Sequence, residues 1–128
     1  MLVFPTLAFA QLDSDELIAA KLGLIEKMYE KHADRFLTLL EARGLFGEQA
    51  EVVLYDAIDA HASCIVLAAQ AQAHEQGISA EVILKGLGNK TRGKEEAVIF
   101  LELDMDQFKL KTKSCNDSFG RKLGVPVV

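Results

Sequence analysis

The sequence lacks most of the short patterns that carry chemistry, and each absence removes a class of function. There is no Gly-x-Ser-x-Gly elbow for acyl transfer and no His-Glu-x-x-His for zinc-assisted hydrolysis. Gly86-x-Gly88, followed by Asn89-Lys90, falls short of the Walker spacing and follows a helix instead of leading into one, which argues against a phosphate cradle. Neither long helical segment contains the Glu-x-x-His that a ferritin-like di-metal centre requires. No helix-turn-helix, zinc-finger or aromatic-on-strand RNA signature occurs. Repeats and low-complexity tracts are absent, and no apolar run approaches the ~18 residues of a membrane span, so no span is expected. The two cysteines, Cys64 in a helix and Cys115 in a late loop, have no metal-ligand spacing and do not demand a disulfide. Cytoplasm is therefore the default location. The alternative, export, rests on Ala8-Phe9-Ala10, an Ala-x-Ala pattern like a signal-peptidase site. No basic segment precedes it, so the expectation for residues 1–12 is an N-terminal arm or short strand.

What the chain does have is apolar content and long helical periodicity. Half of its 128 residues are apolar, enough for one domain with a real core. The first long helix is expected from about Asp13 to Arg43. Asp13 is placed as N-cap, Glu16 as its reciprocal partner three residues on, and Leu12 against Leu17 as a hydrophobic staple. Gly44 supplies a left-handed stop, with Leu45 folding back on Leu40. A second helix is expected from Glu48 to Gln76, closed by Gly77-Ile78 in the same way. Ile18, Leu22, Ile25, Tyr29, His32, Phe36 and Leu39 recur at steps of four and three. So do Leu54, Ile58, His61, Ile65, Ala68 and Gln72, which makes each set an inner stripe. The connection Gly44–Gly47 is too short for anything but an antiparallel return, so residues 13–77 form a helical hairpin. Ala57, Ala60, Cys64, Leu67 and Ala71 leave a further small-residue face. Another protomer, giving a four-helix bundle on dimerisation, or the chain's own C-terminal third can cover it.

The remainder, residues 78–128, reads as a short helix, a basic loop and a hairpin. Ser79 caps a third helix over Ala80 to Leu87. From Ala97 to Lys113 two periods compete. A helix would put Val98, Leu101, Met105 and Phe108 on one stripe. Strands would alternate through Leu101–Met105 and Phe108–Lys113, turn at Asp104–Gln107, and set Glu102 and Asp104 against Lys109 and Lys111. We favour the β-hairpin, extended by Leu2–Phe4 and Val125–Val128, and so an α+β, predominantly helical fold class.

The net charge of −5 is unevenly spread. Through Leu84 five Lys/Arg oppose thirteen Asp/Glu; from Lys85 onward nine oppose six. Lys85, Lys90, Arg92, Lys94, Lys109, Lys111 and Lys113 make a candidate basic patch for an anion or a nucleic acid. The net negative charge opposes non-specific phosphate binding.

One polar constellation stands out. About a turn centred on Gly44–Gly47, His32 comes level with Asp59 and His61 with Glu30, with Tyr29 nearby. Imidazole beside carboxylate is the composition of a metal site, so His32, His61, Asp59 and Glu30 are its candidate ligands. It is equally that of a buried polar layer that fixes helix register. His61 and Cys64, one turn apart, could activate a thiolate, though Cys64 sits among apolar neighbours. The leading expectation is a non-enzymatic interaction module that forms a homo-oligomer, binds a protein partner and needs no cofactor. A helical-bundle metal or small-ligand protein and a nucleic-acid-associated regulator are the alternatives.

Overall fold

A computed structural model describes residues 14–87 and 93–124. They form five helices: α1 (Ser14–Ala42), α2 (Gly47–Gln76), α3 (Ala80–Leu87), α4 (Gly93–Leu101) and α5 (Met105–Leu123). The expected arm at 1–12, the Asp13 cap, and the added strands at 2–4 and 125–128 lie outside the described residues.

The long hairpin ends where local chemistry stops it. Gly44 takes φ +89°, and the amide of Leu45 donates to the Leu40 carbonyl at 3.0 Å while Leu45 packs on the cluster containing Leu40. Gly77, at φ +67°, ends α2 with the Ile78 amide donating to Ala73 at 3.1 Å. Ser79 accepts from the Val82 amide at 3.3 Å and starts α3.

The C-terminal third departs from expectation. No strand occurs among the described residues, and the expected β-hairpin, with its α+β class, is replaced by two helices. The segment read as a turn is a helix start. Asp104 has extended backbone angles, and its side chain accepts from the Gln107 amide at 3.1 Å, the N-cap contact that opens α5. Gln76 of α2 holds the preceding break. Its amide donates to the Glu102 carbonyl at 2.9 Å, and its carbonyl oxygen accepts from the Asp104 amide at 2.8 Å. Beyond the break, Phe108, Thr112, Cys115 and Leu123 are buried while Leu110 is 74% exposed, a helical stripe in place of an alternation. A single continuous helix fails too, because Glu102–Asp104 interrupt it.

α5 lies along α2 as extensively as α1 does, so the chain itself covers the Ala57 and Cys64 part of the small-residue face, while Leu67 and Ala71 stay exposed. Ala57 is buried, and Cys64 is joined by a disulfide to Cys115, with their Cα atoms 5.7 Å apart. Gly86 is needed where α3 meets α4, since a Cβ there would fall 2.3 Å from the Phe100 ring. α2 thus packs against α1, α3 and α5. One 18-residue window of α2 is apolar enough to cross a bilayer, a property equally expected of a helix in this central position.

Two hydrophobic clusters result. Near the hairpin turn, Ile25, Phe36, Leu40, Leu54, Ile58 and Leu123 come together. At the open end, Val66, Ala69, Ile83, Leu84, Leu103 and Phe108 do so. The α1 stripe is rotated from expectation: Ile18 and Leu22 are 57% and 53% exposed, while Leu17, Ala20 and Leu24 pack inward. Steps of four and three average 3.5 residues, whereas a straight helix turns every 3.6, so over three heptads the true inner face drifts by roughly 60°.

Candidate ligand cavity

Between α1, α2 and α5 lies an open cavity of about 370 Å³. Leu24 and Met28 of α1, Ile58, Ala62 and Ile65 of α2, and Phe108 of α5 give it mostly apolar walls. Lys27, Lys31 and His32 come from the same face of α1, His61 from α2, and Lys109, Thr112 and Asn116 from α5. The spacing explains the grouping: Leu24, Lys27, Met28, Lys31 and His32 are three or four residues apart, and so are Lys109, Thr112 and Asn116. Long lysine stems can lie against apolar walls while their ammonium groups reach outward.

The two histidines are both half-buried and both line this cavity. His61 Nε2 is 2.9 Å from Asn116 Oδ1. The rings run in series from His32 to Phe36 (5.6 Å), to Phe119 (5.2 Å), to His61 (5.2 Å). The carboxylates expected beside them are elsewhere. Asp59 pairs with Lys21 at 2.9 Å, well toward the N-terminus from His32, so the helices are offset along their axes. Glu30 is exposed, and Tyr29 packs against Tyr55 at 6.4 Å. Among the described residues no three His, Cys, Asp or Glu side chains gather as a metal centre would need, so His32, His61, Asp59 and Glu30 do not converge.

The remaining candidates are dispersed as well. Cys64 is bonded to Cys115, which removes the thiolate that His61 might have activated. Of the basic patch, Lys85 pairs with Glu81, Lys111 with Glu75 and Lys113 with Asp117, at 3.2, 2.8 and 3.1 Å. Lys94 is exposed, Lys109 belongs to the cavity, and Lys90 and Arg92 lie outside the described residues. No continuous cationic face emerges from the described members.

Lys27 is the residue that sequence reasoning passed over. Its ammonium donates to the Leu87 carbonyl at the end of α3. Burial, reinforced by the neighbouring Lys31 charge, holds its pKa below the usual lysine range. Lys27 and Lys31 border the face that carries Leu24, Met28 and His32, and that mixed stripe was the available signal.

A second, separate groove lies between α1 and α2, lined by Leu17, Ile18, Lys21, Ser63, Val66 and Leu67, with Leu67 67% exposed. No known protein family, curated protein or solved structure matches the chain, so its function has to be argued from these sites.

Proposed function

We propose that this is a non-enzymatic binding protein that takes a small, partly apolar ligand into the cavity between α1, α2 and α5. The cavity itself carries the reading. Its volume of about 370 Å³ lies within the range of small-molecule sites, and a few polar groups converge on mostly apolar walls. The groups around it are engaged in ways that suit binding more than turnover. His61 is paired with Asn116, Thr112 donates its hydroxyl to the Lys109 carbonyl, and both cysteines are tied together.

The disulfide also moves the expected location. A bond between Cys64 and Cys115 persists in oxidising surroundings, which favours export over the cytoplasm. Self-association is assigned to the groove with exposed Ile18 and Leu67, because α5 covers the Ala57 and Cys64 part of the small-residue face and leaves Leu67 open.

The test is binding of a neutral fluorophore that brightens in apolar surroundings, N-phenyl-1-naphthylamine, with and without Ile65→Phe. Ile65 is half-buried at the cavity wall, so the larger ring should fill space without exposing the core. Saturable binding that falls at least about tenfold in the variant, at unchanged helical circular dichroism, supports the reading. Absence of saturable binding, or an equal signal in both proteins, refutes it.

A further inference from the structure

The charges around the cavity are of one sign. Among the described residues its lining contains three lysines and two histidines but no aspartate or glutamate, although the chain as a whole carries a net charge of −5. Lys27, Lys31 and Lys109 form no ion pair with a described carboxylate, while Lys21 and Lys111, on other faces of the same helices, each do, as does Lys113 one turn beyond Lys109. Three ammonium groups around one opening repel one another, and an anion placed among them relieves that repulsion. Lys27 already senses it through Lys31.

The apolar part sets the other half of the ligand. Leu24, Met28, Ile58, Ile65 and Phe108 surround a space that these helices leave unfilled. The space lies within the range of small-molecule sites, which a single aliphatic chain of medium length suits. A free phosphate or other compact anion would leave the apolar walls uncovered, and a purely hydrocarbon ligand would leave the lysines unanswered.

We propose that the cavity binds a single-chain amphiphilic anion, a medium-chain aliphatic carboxylate, with its head among Lys27, Lys31 and Lys109 and its chain against the apolar walls. This rests on the reading of the cavity as a ligand site and adds the chemical class. His61 and Asn116, already hydrogen-bonded to each other, border the site.

The experiment displaces N-phenyl-1-naphthylamine from the intact protein with decanoate, decanol, decyltrimethylammonium and acetate, each below its micellar concentration. Decanoate should displace the probe at a concentration at least about tenfold lower than decanol, the difference expected from one charge-assisted contact. The decyl cation should be weaker than decanol, and acetate should be without effect. In Lys27→Gln/Lys31→Gln the gap between decanoate and decanol should close through weaker displacement by decanoate. Lys109→Gln, at an exposed position, should narrow it if the double variant folds poorly. Equal displacement by decanoate and decanol in the unaltered protein overturns the anionic assignment and leaves the cavity reading standing. Displacement by acetate as strong as by decanoate overturns the aliphatic part. Failure of the probe to bind, or its insensitivity to Ile65→Phe, overturns both.

Discussion

Removing the covalent link between α2 and α5 should cost this protein a large share of its stability. The two cysteines close a loop with a sequence separation of 51. In the loop-closure treatment a cross-link over about 51 residues removes about 14 cal/mol/K from the unfolded chain, or about 4 kcal/mol at 25 °C. Typical domains are stable by only ~5–15 kcal/mol, so this is a major fraction. Alanine is the appropriate replacement, because Cys115 is 2% exposed and a serine hydroxyl there would be buried. Urea unfolding of the oxidised protein and of Cys64→Ala/Cys115→Ala, followed by circular dichroism, gives the comparison. The midpoint should fall by the equivalent of roughly 2–4 kcal/mol, and the slope should steepen because the unlinked chain opens further. A loss below about 1 kcal/mol would refute the loop argument. Two thiols reacting in denatured, unreduced protein would refute the pairing itself.

Asp104→Ala should lower stability by about 1 kcal/mol by removing the cap of α5, and Asp104→Asn should recover most of it in the same urea assay. Tyr29 should ionise above the ordinary tyrosine value of about 10, first because burial disfavours its phenolate and then because Tyr55 and Glu51 do. In Tyr55→Phe it is the only tyrosine left, and absorbance titration should still find it raised. Because the folded state favours the protonated phenol, the associated stability is fully present below the unfolded pKa and declines as pH rises through the folded one. A midpoint at or below about 10 would contradict this. Light scattering at micromolar concentration should show more than the monomer mass, and Ile18→Lys/Leu67→Lys should return it to the monomer. A monomer throughout would remove self-association through that groove.

The parts legible in the sequence were those set by neighbours in the chain. The α1 and α2 boundaries followed from Gly44, Gly77 and the long apolar periods, and α3 from Ser79, each a contact spanning a few residues. The segment after Gly93 was ambiguous because Leu101-Glu102-Leu103 alternates while Phe108, Thr112 and Cys115 step by four and three. Asp104-x-x-Gln107 was the decisive local signal, and it was read as a turn. Its tertiary support, Gln76 from the far end of α2, could not be seen locally. The disulfide was hidden for the same reason, since the spacing of Cys64 and Cys115 acquires meaning only when α5 is known to run beside α2. His32 and His61 both line the cavity, half-buried. Asp59 does not, because the axial offset of the helices brings Lys21 to it. The cationic lining was missed because Lys27 and Lys31 look, in sequence, like ordinary solvated residues.

The two hydrophobic clusters are joined at a seam, where Leu24 packs against both and lines the cavity. α5 crosses it, contributing Phe108 to one cluster and Leu123 to the other, with the disulfide in between. Such a molecule should unfold locally as two units, the turn end and the open end exchanging amide hydrogens with different protection. A molecule seated at this seam would touch side chains from both and bind only when both are formed, so it would tie the two units into one cooperative body.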